Sequence, residues 1–76
     1  AAAWILLRDG ERNAQRLAAA IRREWDGYPL VREDYIAVVH PETLEPFKSV
    51  RGPALVVVAA HVGAARLIDN FPWRPR

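Results

Sequence analysis

The 76-residue sequence contains no cysteine, which excludes disulfide bonds and thiolate metal sites. Such an absence is typical of proteins in a reducing compartment, and we expect a cytoplasmic location. The longest apolar run, residues 53–60, is far shorter than the roughly 20 residues that span a bilayer, so no membrane contact is expected. The four glycines are isolated, without a Walker sequence or a G-x-G-x-x-G motif. We therefore expect no cofactor to bind tightly to this chain alone.

Side chains that commonly carry catalysis are also few. Ser49 is the only serine, and no G-x-S-x-G elbow surrounds it. His40 and His61 are expected at opposite ends of two adjacent strands, roughly 20 Å apart at 3.3 Å per residue, which is too far for one metal site. Neighbouring strand residues point to opposite faces, so Glu33 and Asp34 cannot form an acid–base pair.

A second pair of carboxylates, Glu42 and Glu45, lies in a proline-bounded loop and is expected to be solvated. We therefore predict no catalytic, cofactor-binding or metal-binding residue in this chain. The composition, with 51% hydrophobic and 26% charged residues, nevertheless predicts a folded domain rather than a disordered segment.

The formal net charge is +2, and every basic residue except Lys48 and the two histidines is an arginine. The arginines that could form a basic face are Arg16, Arg22, Arg23, Arg74 and Arg76. Because arginine suits phosphate, one alternative function is a free-standing module that binds nucleic acid, although no aromatic stacking set supports it. Another alternative is an assembly domain that associates through exposed apolar residues of the first helix. The candidates for that contact are Trp4, Ile5 and Leu6.

Two helices are predicted first along the chain. Ala, Leu and Arg favour a helix over residues 1–9, and Gly10 follows where a glycine commonly ends one. Because this segment lacks an N-cap and has no polar face before Arg8, we interpret it as the last part of a longer helix. Asn13 is a good N-cap for the second helix, which is expected to end near residues 26–27. Its apolar side chains share an arc of about 100°: Ala14, Leu17, Ala18, Ile21 and Trp25.

Three strands are predicted next, over residues 31–40, 54–62 and 66–70. The middle strand is apolar on both faces, which favours a central position in a sheet. The connection at residues 63–65 is too short for a parallel crossover, so antiparallel pairing is expected. Residues 72–76 are predicted to form an irregular tail. The fold class is therefore α+β, with two helices followed by a three-stranded, mostly antiparallel sheet.

Several pieces of the sequence occur in a characteristic order and spacing. They are Gly10–Asn13, Asp34-Tyr35, the linker PETLEP at 41–46, Gly52-Pro53-Ala54, Ala59-Ala60 with Val62-Gly63, and RLIDN at 66–70. On these pieces, residues 10–70 resemble the C-terminal domain of the pantoate–β-alanine ligase family. The resemblance implies that residues 1–71 form a single small lid domain, with residues 72–76 as its tail.

The family condenses pantoate with β-alanine through a pantoyl adenylate and uses ATP and Mg²⁺. The resemblance implies that this chemistry takes place mainly in an N-terminal Rossmann-like domain with H-x-G-H and M-S-x-R-N signatures. Neither signature occurs in this chain, so the chain alone is expected to be inactive. Its implied partner is its own N-terminal catalytic domain, through which pantoate, β-alanine and ATP act, and a homodimeric parent is one expectation.

The stretch GPALVVVAAHVGAARLIDN, residues 52–70, carries three polar residues near its end, Arg66, Asp69 and Asn70. We favour a structural role for them, in fixing a hairpin and a strand end, over a position facing an active-site cleft. Two departures from the family pattern lie nearby: His61 stands where arginine is frequent, and Ala64-Ala65 replace a turn that commonly carries lysine or threonine. The second departure puts in doubt any contact from this turn to a nucleotide.

Overall fold

The computed structural model describes residues 2–75, with two helices followed by three strands. The elements are α1 (Ala2–Arg8), α2 (Ala14–Trp25), β1 (Val31–Val39), β2 (Ala54–Val62) and β3 (Ala65–Trp73). The strands form one antiparallel sheet in the order β1-β2-β3, which confirms the predicted α+β fold and the central position of β2. Ala1 and Arg76, predicted to lie in a helix and in a tail, are outside the described residues. Among residues 2–75, no helix is long and apolar enough to cross a membrane.

Local signals define both helices as predicted. Gly10, just beyond α1, has a φ of 105°, a conformation that glycine adopts without a steric penalty. The Asn13 side chain caps α2 by accepting a hydrogen bond from the backbone N–H of Arg16 at 3.0 Å. The apolar stripe of α2 faces inward and contributes the buried residues Leu17, Ala18 and Ile21.

The hydrophobic core lies between the helices and one face of the sheet, which we call the helix face. Its two largest fully buried side chains are Leu7 of α1 and Leu17 of α2. The sheet contributes Val38 from β1 and Val56 from β2. The opposite face, which we call the outer face, carries no helix among the described elements. The remaining buried core residues are Ala3, Ile21, Val50, Ala54 and Trp73.

The third strand is longer than predicted, because it continues through Pro72 to Trp73. The prediction of an irregular tail from residue 72 is therefore wrong at these two positions. β3 is an edge strand, where a proline is tolerated despite its missing N–H. Trp73 is only 8% exposed, and the Arg12 guanidinium carbon lies 4.6 Å from its ring centroid, in a cation–π contact. This contact ties the end of β3 to the turn between the helices.

A bulge interrupts the pairing of β1 with β2 at Asp34. Glu33 is opposite Ala60, but the next paired residue, Tyr35, is opposite Ala59. The extra residue reverses the alternation of side chains along β1. Glu33 therefore projects from the helix face, whereas Tyr35 projects from the outer face.

The loop between β1 and β2 is held against the rest of the fold by backbone hydrogen bonds. The N–H of Val50 donates to the carbonyl of Arg12 at 2.8 Å, and the N–H of Phe47 donates to the carbonyl of Val38 at 2.9 Å. The His40 ring orders the start of the loop, because its Nδ1 accepts from the backbone N–H groups of Glu42 and Thr43. The loop is therefore an ordered part of the domain.

Candidate functional site

An open apolar groove lies between the helices and the β2–β3 part of the sheet. Its volume is about 460 Å³, and α1 lines it with Trp4 while α2 lines it with Ile21 and Trp25. The floor includes Val56 of β2 and Phe71 of β3. Helix α2 packs mainly over β1, so the helix face of β3 stays uncovered along this groove.

Large apolar side chains at the groove are accessible to solvent. Trp4 is 45% exposed and Phe71 is 39% exposed, while the neighbouring Ile5 is 49% exposed. Contiguous apolar surface of this kind commonly marks a contact with another protein segment. The predicted exposure of the first helix is therefore present at Trp4 and Ile5, whereas Leu6 is partly buried against the core.

The candidate acid–base pair is divided between the two faces of the sheet. Glu33 accepts two hydrogen bonds from Arg22 of α2, from Nε at 2.6 Å and from Nη2 at 3.0 Å. This contact raises the pKa of Arg22 above its ordinary value. Asp34 instead accepts from Nε of Arg66 at 2.7 Å. The two carboxylates are thus engaged in separate ion pairs, an arrangement that suits structure rather than proton transfer.

The other catalytic candidates are dispersed. Ser49 is exposed, and its backbone forms an isolated bridge with Asn13. His40 follows the last residue of β1, whereas His61 is opposite Arg32 near the first residue of β1, so the histidines lie at opposite ends of the pair. Glu42 and Glu45 are exposed in the loop. Within residues 2–75, no three metal-ligating side chains come together.

The candidate basic face is partly neutralised. Arg22 is paired with Glu33, and Arg16 lies 3.6 Å from Glu11. The Glu11 carboxylate also accepts from the backbone N–H of Asn13, and this hydrogen bond lowers its pKa. Arg76 is outside the described residues, while Arg23 and Arg74 are exposed. The remaining positive charge of this set is therefore scattered rather than aligned.

The three polar residues near the end of the 52–70 stretch do not converge on one point. The register places Arg66 and Asn70 on the outer face and Asp69, opposite Val58, on the helix face. Asp69 accepts a hydrogen bond from the backbone N–H of Asn70 at 2.8 Å, and Arg66 bridges to Asp34 of β1. Their structural role stays a prediction.

Sequence reasoning missed an alignment of basic residues on the outer face. Arg32, His61 and Arg66 are direct partners across the three strands. The two-residue turn at Gly63-Ala64 could have indicated part of this alignment. Because the turn pairs Val62 with Ala65, the next pair along the hairpin is His61 with Arg66. Arg32 joins them only because of the bulge, which no sequence motif indicated.

Comparisons with known proteins identify similar sequences along nearly the whole chain. A family model described as pantoate-beta-alanine ligase matches residues 2–72. The chain is 53% identical over 67 residues to a pantothenate synthetase of Nitratidesulfovibrio vulgaris (strain DSM 19637 / Miyazaki F), covering 87% of this chain and 24% of that protein. It is 56% identical over 61 residues to a pantothenate synthetase of Acidobacterium capsulatum, covering 80% of this chain and 20% of that protein.

The fold has a similar counterpart among solved structures. The crystal structure of pantoate-beta-alanine (pantothenate synthetase) from Thermus thermophilus superposes with a TM-score of 0.86 at 34% identity. The superposition covers 97% of this chain and 26% of that one. The chain therefore spans about a quarter of the length of the relatives it matches.

Proposed function

Because the chain belongs to the pantoate-beta-alanine ligase family, we propose that it is the C-terminal lid domain of a cytoplasmic ligase that makes pantothenate. The parent enzyme would join pantoate to β-alanine at the expense of ATP, through a pantoyl adenylate. The observation that carries the proposal is the match over residues 2–72, which nevertheless spans only about a quarter of each relative. The nucleic-acid and assembly alternatives are not favoured by these relatives.

The reacting groups are expected to be held by the remainder of the parent. The described residues offer no cluster of metal ligands for Mg²⁺ and no glycine-rich loop to enclose a nucleotide. The ion-paired carboxylates, Glu33 and Asp34, are divided between two faces. We therefore assign ATP and Mg²⁺ to the catalytic domain, and we expect this chain alone to be inactive.

The contribution of a lid domain is exclusion of water. A pantoyl adenylate is a reactive acyl donor, and closing a domain over the cleft protects it from hydrolysis until the amine of β-alanine attacks. The apolar groove at Trp4 and Phe71 supports this role, because it offers a surface against which the remainder of a parent enzyme can pack.

The first test measures pantoate-dependent ATP–pyrophosphate exchange. The purified 76-residue chain is expected to give no exchange, and exchange above background would contradict the proposal. In parallel, this chain replaces the matching segment of the Nitratidesulfovibrio vulgaris enzyme, with the natural enzyme as reference. The chimera is expected to catalyse the exchange, and a folded but inactive chimera would count against the lid assignment.

Two variants of the chimera test the groove as the interdomain contact. Phe71→Asp introduces a carboxylate into the groove, and we expect kcat/KM to fall at least about tenfold because a charge is buried without a partner. Leu67→Asp is the matched control, because Leu67 lies on the same face of β3, is 58% exposed and does not line the groove. Equal effects of the two substitutions would contradict the interface.

A further inference from the structure

The outer face of the sheet carries a row of basic side chains that the proposed function does not use. Arg32 of β1, His61 of β2 and Arg66 of β3 are direct register partners, so all three project from the same face. We call these three residues the basic row. Adjacent strands lie about 4.8 Å apart, so the backbones of the two arginines are separated by about 10 Å.

The row has more positive charge than its surroundings neutralise. Within residues 2–75, Asp34 is the only carboxylate that forms an ion pair with the basic row. It accepts a hydrogen bond from Nε of Arg66 at 2.7 Å. That contact orients the guanidinium, while its two terminal nitrogens make no other hydrogen bond in this part of the chain. The side chains of Arg32 and His61 make neither a hydrogen bond nor an ion pair with any described residue, although both backbones belong to the β1–β2 ladder. All three side chains therefore have donors that remain available, and the bond to Asp34 draws the Arg66 guanidinium across β2 toward β1.

We propose that the basic row binds a small anion with two or more linked phosphate groups. Guanidinium groups donate paired hydrogen bonds to phosphate oxygens, and those of Arg32 and Arg66, on the same face of the sheet, can hold neighbouring phosphates. The imidazole between them supplies a further N–H donor. A single carboxylate would leave one of the two guanidinium groups unused. The three anchors stand on paired strands, which hold them more rigidly than a loop would.

The basic row and the ligase assignment can be tested independently of each other. The row lies on the outer face, whereas the groove opens on the helix face. The test of the row is an equilibrium titration of the 76-residue chain, without pantoate or β-alanine. A failure to bind would therefore leave the ligase proposal unaffected, and an inactive chimera would leave this site unaffected.

The experiment is a backbone amide NMR titration with sodium pyrophosphate at constant, low ionic strength. Saturable shifts are expected around residues 32, 61 and 66. Arg32→Gln should weaken binding about tenfold, as expected for a lost hydrogen bond to a charged group. Because the Arg32 side chain is exposed and forms no ion pair within residues 2–75, this variant should fold normally. Arg23→Gln is the matched control, since Arg23 is exposed on α2 and the net charge changes equally. Its effect should stay within about twofold.

Four outcomes would contradict the proposal, each for a different reason. Equal weakening by Arg32→Gln and Arg23→Gln would mean attraction to net charge alone and would overturn the site. Acetate binding as tightly as pyrophosphate would overturn the phosphate class. A single-stranded oligonucleotide that displaces pyrophosphate at a lower concentration would identify a nucleic-acid surface instead. Absence of saturable shifts would also overturn the proposal.

Discussion

The two ends of the β2–β3 hairpin differ sharply in how they are held. At one end, Ala54 and Trp73 are opposite each other and both are buried, with Arg12 against the tryptophan ring. At the other end, the turn at Gly63-Ala64 and the residues of β3 that follow it are exposed. The same ladder is thus anchored in the core at its open end and projects into solvent at its turn. Trp73 is therefore the one buried side chain of β3, and the other positions of this strand are available for surface contacts.

The largest effect on this difference between the two ends is expected from Trp73→Ala, which removes the buried side chain at the anchored end. Truncation of a buried tryptophan is expected to cost about 3 kcal/mol of unfolding free energy, through lost burial and a residual cavity. A chain of this size is stable by roughly 4–11 kcal/mol, so the variant should lose much of its stability. The measurement is urea unfolding followed by circular dichroism. Leu67→Ala, at the exposed end, should cost only about 0.5 kcal/mol, and equal losses would contradict the asymmetry.

At the exposed end, backbone conformation should contribute more to the stability of the domain than side-chain burial does. Gly63 has a φ of 58° at the first position of the two-residue turn, a region that disfavours residues with a Cβ. Gly63→Ala is therefore expected to destabilise the domain by about 1 kcal/mol in thermal unfolding. Gly27→Ala is the control, because Gly27 does not have a positive φ. A Gly63 variant as stable as the parent would show that the turn tolerates a Cβ.

The ion pair of Arg66 with Asp34 should contribute less than either of these features. Its side chains are 45% and 33% exposed, so solvent screens the attraction. A double-mutant cycle with Arg66→Gln and Asp34→Asn is expected to give a coupling of about 0.2–1 kcal/mol, which falls as salt is added. A larger coupling that salt does not alter would indicate that the exposed end is more rigid than its burial suggests.

The smallest expected effect is a pH dependence at the anchored end. The hydrogen bond from the Asn13 backbone lowers the pKa of Glu11 in the folded state. Its contribution is therefore complete above the pKa of the unfolded chain and is lost as pH falls through the lowered folded value. Urea midpoints measured from about pH 6 down to about pH 3, where a glutamate titrates, should decline less for Glu11→Gln than for the parent. Identical pH profiles would contradict this role of Glu11.

Much of the fold follows from local patterns in the sequence. The Asn13 cap and the apolar arc from Leu17 to Trp25 define α2, and the apolar character of β2 on both faces defines the central strand. These features depend on residues close together in the chain, so a single sequence is sufficient to predict them. The short turn before β3 likewise predicts antiparallel pairing.

The features that could not be predicted depend on distant partners. Trp73 ends β3 opposite Ala54, and its ring contacts Arg12, about sixty positions earlier in the chain. The bulge at Asp34 shifts the register of β1 against β2 by one residue, and this shift sets the position of Arg32. The groove depends on where the helices pack on the sheet, which local sequence patterns do not specify. The sequence therefore indicated the exposed apolar residues of α1, but it did not indicate that Phe71 lies beside them. The candidate interface was thus only partly predictable.

The open sheet has a further consequence for behaviour at high concentration. A strand with a free edge is a template on which another chain can pair, the first step toward fibrils. On the β1 side, the loop occupies part of the edge through the Phe47–Val38 hydrogen bond, and the bulge distorts another part. On the β3 side, Pro72 has no N–H with which to extend a ladder. Both edges therefore oppose amyloid-like stacking, although the sheet is neither closed nor fully covered.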